Sequence, residues 1–201
     1  MFVGRSKELK KLQKLYENDS FEFAVFYGRR RIGKTTLINE FIKDKKAVYY
    51  MSVEGTRKEN LAGLSRAILS DRHGAAPQFP DFESLLGYID QLAVTGERMI
   101  IAIDEFPYLA ASYPAISSML QSHIDLHWKN SRLFLILCGS SMSFMEEQVL
   151  GYKSPLYGRR TAQFKLHPFI VTLSTQLIVF GTVLMYLMIG GNNGQTLSGL
   201  D

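Results

Sequence analysis

The chain is poor in cysteine. Cys138 is its only one, which excludes an intramolecular disulfide framework and any site built from several thiolates. A reducing compartment is the natural reading. No unit of about 20–50 residues recurs, so a solenoid or propeller is excluded. The opening Met1–Glu8 has no apolar h-region, which argues against a secretory signal and makes the cytoplasm the expected location. No DNA-reading motif is recognisable. From Leu166 to Leu200 there is no Asp, Glu, Lys or Arg at all. That uncharged tail contrasts with the first fifty residues, which hold twelve Lys or Arg against six Asp or Glu. The net charge of +4 is mild and permits an anionic partner without demanding one.

What is present is enough for a core. At 46% hydrophobic and 21% charged over 201 residues, the chain is no disordered polymer and has the length of about one domain. Ser6 is placed to cap a helix that carries Leu9, Leu12 and Tyr16 at helical spacing. Phe21–Tyr27 is aromatic and β-branched and reads as a strand. Gly28–Thr35 reads as a loop, Thr35–Lys43 as a helix and Ala47–Val53 as a second strand. Helices are expected over Glu59–Ser70 and Phe82–Leu92, with a loop at Arg72–Pro80. Met99–Ile103 and Leu133–Cys138 are continuous apolar runs of the kind that buried parallel strands show. A helix is expected over Pro114–Trp128, a short one over Met142–Val149, a loop over Gly151–Arg160 and an edge strand over Thr161–Leu166. Strands alternating with helices predict an α/β fold, a three-layer sandwich around a mainly parallel sheet. Ligands of such sheets sit at the carboxyl ends of the strands, here just after Tyr27, Ile103 and Cys138.

Four motifs stand out, the first three of them at such places. Gly28-Arg29-Arg30-Arg31-Ile32-Gly33-Lys34-Thr35 fits G-x-x-x-x-G-K-[ST] without a mismatch, after a strand and before a helix. Its glycines let backbone N–H groups approach phosphate oxygens, and the helix N-terminus adds positive potential. Lys34 would reach the β- and γ-phosphates, and the Thr35 hydroxyl would ligate magnesium. Thr36 continues the loop into the helix. Ile100–Ile103 delivers Asp104 and Glu105 to the same edge. Asp104 would hold magnesium, and Glu105 would polarise the attacking water. Gly139-Ser140-Ser141 follows the next strand. Either serine is placed to meet a γ-phosphate or water, and Ser141 is equally a helix cap before Met142. Pro155–Arg160 brings Arg159 and Arg160, readable as transition-state cations or as a solvated basic loop.

Together these residues resemble the archaeal-type ATPase family within the STAND and AAA+-like P-loop NTPases. The resemblance rests on Phe2-Val3-Gly4-Arg5 with Glu8-Leu9, the Gly28–Thr35 loop, Asp104-Glu105-Phe106-Pro107, Cys138–Ser141 and Pro155–Arg159. It runs from Phe2 to about Pro168. It implies an ATP- and Mg2+-binding core whose Walker A and Walker B strands are separated by another strand. It implies that Val3, Gly4 and Arg5 lie near the adenine, that Ser140 or Ser141 is a sensor, and that Arg159, less securely Arg160, is an arginine finger or sensor. A finger in trans would imply self-association.

Three signals stand apart. His123 and His127 are four apart on an expected helix, but no third ligand is apparent in sequence and a packing role is the expectation. Cys138 ends an apolar strand and reads as an inert buried thiol. The tail, residues 169–201, reads as the remnant of a lid. Its first part, Phe169–Ile189, would span about 30 Å as a helix, so a membrane segment is the minority reading. A body at 1–168 is thus expected to be a magnesium-dependent ATPase, slow as an isolated core. The alternatives are a nucleotide-dependent switch with little turnover and a membrane-anchored interaction module. Process and protein or DNA partner are not legible.

Overall fold

The computed structural model describes residues 4–69 and 78–168, all within one unit, Met1–Pro168. The elements run α1 (Ser6–Glu17), β1 (Glu22–Tyr27), α2 (Lys34–Ile42), β2 (Ala47–Met51), α3 (Arg57–Leu69), α4 (Phe82–Val94), β3 (Ile100–Asp104), α5 (Phe106–Ser112) and α6 (Ile116–His123). A π-helical turn, Ile124–Trp128, continues α6. After it come β4 (Phe134–Gly139), the single turn α7 (Met142–Phe144), a second π-helical turn at Met145–Val149, and β5 (Ala162–Lys165).

The five strands form one sheet in the order β2-β3-β4-β1-β5, and every pairing is parallel. The period-two alternation of β1 sorts its side chains to two faces. Phe23, Val25 and Tyr27 join Ile101, Leu135, Leu137 and the apolar faces of α3 to α6 in one core cluster. Ala24 and Phe26 join Ala102, Ile136, Leu12 of α1 and Leu37, Ile38 and Phe41 of α2 in the other. The result is the expected three-layer sandwich. β1, β3 and β4 are buried at every position, and β5 alternates as an edge strand does. Phe26 and Phe164 stack at 4.5 Å across β1 and β5.

Four local expectations are corrected. Ser6 is the first helical residue rather than a cap, and Arg5, in left-handed conformation at φ 61°, holds the cap position without a capping bond from its side chain. Ser141 occupies the cap position of α7 but makes no capping bond. Phe106–Ser112 is a helix that the pattern did not disclose, because it starts directly after Glu105 with Pro107 in its first turn. The helix expected over Pro114–Trp128 begins at Ile116 and loosens into the π-turn, closed by the bond from Lys129 N–H to the Ile124 carbonyl at 3.1 Å. Among the described residues no helix is long and apolar enough to cross a membrane. The expectations for the tail, for Val3 and for most of the Arg72–Pro80 loop fall on residues outside those described.

Candidate functional site

The three carboxyl ends named from the sequence converge. β4 lies between β1 and β3, so the Gly28–Thr35 loop and Asp104-Glu105 flank Ser140 at the tip of the central strand. A cleft of about 300 Å3 opens there, lined by Arg30, Arg31, Gly33, Lys34, Thr35, Thr36 and Glu105.

The loop is shaped by its glycines. Gly28 has φ +149°, and a Cβ on it would fall 2.4 Å from the Leu166 carbonyl oxygen and 2.5 Å from Ile32 Cδ1. Only glycine fits a strand end that β5 crowds so closely. Gly33, at φ +83°, caps α2 and turns the chain into it. The first N–H groups of α2 have no helical acceptor and lie where an anion would be drawn. Arg31 is also left-handed, at φ 63°. Lys34 is buried, and its ammonium donates to the Gly28 and Arg29 carbonyls at 2.8 and 2.9 Å. The loop thus folds around its own lysine.

The acidic pair is equally well held. The Thr35 hydroxyl donates to Asp104 Oδ2 at 2.6 Å, across the width of β4. Tyr49 of β2 donates its phenol to the same oxygen at 2.9 Å, and the Glu105 N–H donates to Oδ1 at 2.8 Å. Thr35 and Asp104 are oxygen donors of the kind that a hard divalent cation takes, and their contact fits a shared magnesium ion. Burial, and then the Asp104 charge, push the Tyr49 phenol well above its ordinary range. It therefore stays a neutral donor. The same two causes raise the Cys138 thiol, which keeps it protonated and inert.

Glu105 follows in left-handed conformation, φ 49°, as the cap residue of α5. Its Oε2 accepts from the Ser140 N–H at 3.1 Å and from the Ser140 hydroxyl at 2.8 Å. Arg30 reaches over this pair, with Nη2 donating to the Tyr108 hydroxyl at 2.6 Å and Nε to Ser140 Oγ at 3.4 Å. Ser140, not Ser141, is thus the serine joined to the acidic pair.

Two further sequence candidates do not line the cleft. Arg5 Nη2 donates to the Ile32 carbonyl at 2.9 Å and to the His167 carbonyl at 2.6 Å, so it braces the loop through its backbone. Arg159 is not brought to the cleft. Thr161, two residues on, donates its N–H to the Phe23 carbonyl near the start of β1, whereas the loop follows the end of that strand. There Arg159 Nε donates to both Asp125 oxygens at 3.0 and 3.1 Å, and Nη1 donates to the Pro155 carbonyl at 2.8 Å. The residues that sequence reasoning missed are Tyr49 and Tyr108. Tyr49 shares the sheet face of Ala24 and Phe26, but only the strand order reveals that this face leads to Asp104.

Known proteins are similar to this chain in sequence and in fold. The profile of the family described as an ATPase domain predominantly from Archaea matches residues 2–192. The matched range extends past Pro168, where the motif resemblance stops. An uncharacterized protein of Methanocaldococcus jannaschii is 40% identical over 168 residues, covering 84% of this chain and 36% of its own length. An uncharacterized ATP-binding protein of the same archaeon is 44% identical over 46 residues, 23% of this chain and 78% of its own. Among solved structures, a Walker-type ATPase of Pyrococcus abyssi superposes with a TM-score of 0.61 at 20% identity, over 92% of this chain and 59% of that one. The ORC2 protein of Aeropyrum pernix, in ADPNP-ADP complexes, gives 0.59 at 18% identity, over 82% of this chain and 48% of that one. The chain therefore spans about a third of its M. jannaschii relative and little more than half of the Pyrococcus structure. The fold is that of the P-loop ATPases, and by the extent of the sequence match this chain belongs to the family of ATPase domains found predominantly in Archaea.

Proposed function

We propose that the chain binds ATP with Mg2+ in the Gly28–Thr35 cleft and hydrolyses the β–γ bond. The observation that carries the reading is the 2.6 Å contact of Thr35 with Asp104, which unites the loop and the acidic strand end at one point. Lys34 would exchange its two loop carbonyls for phosphate oxygens, and the α2 N-terminus would add its N–H donors. Thr35 and Asp104 would hold magnesium, which would supply positive charge against the phosphate oxygens. Glu105 would orient the attacking water and take its proton, and Ser140 positions that carboxylate through two bonds. Arg29, Arg30 and Arg31 add positive potential at the mouth. Arg159 has no part in its own cleft and would act only on a neighbouring copy's nucleotide.

A second reading, a switch that binds nucleotide and turns over little, is favoured by one feature. Lys34 and Glu105 both have internal partners, so a resting arrangement is built in. Steady-state hydrolysis of Mg-ATP separates the two. Turnover in the native chain, reduced on the order of 100-fold or more in Glu105→Gln with ATP binding kept, supports hydrolysis. ATP binding without turnover in the native chain overturns it and leaves the switch. Undiminished ATP binding by Lys34→Ala would sink the phosphate site in both.

A further inference from the structure

The histidine pair set aside in the sequence has a third partner. Asp90, on α4, faces the junction of α6 with its π-turn, and the ligand atoms of Asp90, His123 and His127 lie within 4.8 Å of one another. Both Asp90 oxygens are 2.9 Å from His123 Nδ1, and Oδ2 is 3.7 Å from His127 Nε2. A tetrahedral ion with bonds of about 2.0–2.1 Å sets its ligand atoms about 3.3 Å apart. The two Asp90–histidine separations straddle that value and all three ligand atoms lie within 4.8 Å of one another, so side-chain rotations of about an ångström would bring them onto one ion.

The surroundings match what such a site needs. The buried Trp128 indole donates to Asp90 Oδ1 at 2.7 Å, which fixes the carboxylate with Oδ2 between the two imidazoles. On the far side of the His123 ring, Nε2 lies 3.8 Å from Glu83 Oε1. That is beyond hydrogen-bond reach, and with Nδ1 2.9 Å from both Asp90 oxygens the ring donates its proton to the carboxylate, so an ion binding at Nδ1 would displace that proton. His123 is buried and Asp90 mostly so, whereas His127 is about half exposed, which leaves a path and a fourth position open to water. The π-turn that carries His127 and Trp128 is itself a rare conformation that recurs at functional sites.

We propose that Asp90, His123 and His127 bind one divalent transition-metal ion of the zinc class. Two imidazoles and one carboxylate suit zinc, cobalt or nickel and not magnesium. Trp128 precedes β4, so the site lies at the opposite end of the sheet from the phosphate loop. Its effect is to clasp α4 to the α6 segment, and it stands independently of the nucleotide reading.

The test uses the full chain, stripped with a chelator and free of nucleotide. Cobalt(II) is titrated while its visible absorption is followed, and zinc is then added in competition. One tetrahedral site per chain is expected, with affinity weakened about tenfold or more in His127→Ala. Zinc should also raise the unfolding midpoint of the native chain and not that of His127→Ala. Because His127 is half exposed, that variant should fold, and its midpoint without metal checks this. Asp104→Asn should bind the ion as the native chain does. Equal binding by His127→Ala, no binding by the native chain, or loss of binding in Asp104→Asn each overturns the proposal.

Discussion

The two ends of the sheet solve opposite problems with the same strands. At the carboxyl ends, backbone is bent for chemistry. Gly28, Arg31, Gly33 and Glu105 all take positive φ, and polar groups from β1, β2, β3 and β4 meet within one cleft. At the amino ends, side chains are pinned. Arg159 is fixed on Asp125, Arg132 on Asp19, and His123 and Trp128 on Asp90. Left-handed backbone costs about 1–3 kcal/mol at a residue other than glycine. The upper end spends stability that the close-packed strands and the lower end must supply. The difference teaches where to look for function in a parallel sheet: convergent donors mark one end and carboxylates held by basic side chains the other, while left-handed backbone occurs at both, at Asp19 as well as at Arg31 and Glu105.

That contrast can be broken most severely at Gly28. Alanine there meets the Leu166 carbonyl and a backbone angle it rarely adopts. Gly28→Ala should abolish ATP binding and lower stability by about 3 kcal/mol or more, measured by nucleotide titration and denaturant unfolding. Near-native binding would show that the loop tolerates a different path. A gentler probe is Tyr49→Phe, which removes one donor from Asp104 while keeping the ring. Turnover should fall about three- to tenfold through weaker magnesium binding, read as a shift of the magnesium titration to higher concentration. An unchanged titration would make the Tyr49 bond merely structural. The smallest effect belongs to the lower end. The hydrogen bond from Arg159 holds the Asp125 carboxyl below its ordinary 3.8, with Lys129 assisting and burial opposing. A depressed carboxyl stabilises the fold above its unfolded value and loses that contribution as pH falls through the lowered one. The unfolding midpoint of the native chain should therefore drop between about pH 5 and pH 3 by more than that of Asp125→Asn. Equal slopes would assign the acid limb to other carboxylates.

Much of the upper end was legible in the chain because its signals are local. The glycine spacing, the following Lys34 and Thr35, and an apolar run ending in Asp104 each carry a mechanism within eight residues or fewer. What escaped is long-range or masked by shared periodicity. Tyr49 and Asp104 are 55 residues apart, and Asp90 and His123 are 33 apart, so only the strand order and the α4–α6 packing bring them together. The π-turn kept the apolar spacing of an ordinary helix and left no mark in the pattern. Arg159 shows the reverse case. Its motif is recognisable, yet the register of β5 on β1 carries it to the lower end.

One contact has a mechanical meaning. The backbone just past β5 forms part of the floor beneath the phosphate loop: Leu166 N–H bonds Tyr27, the Leu166 carbonyl fills the space beside Gly28, and Arg5 grips the carbonyls of Ile32 and His167 together. Tension applied to the chain at His167 is delivered to the nucleotide loop through the Arg5 guanidinium as well as through the Leu166 backbone. In that sense Arg5 is a coupling pin, and load on one side of it is felt as a change in grip on the other.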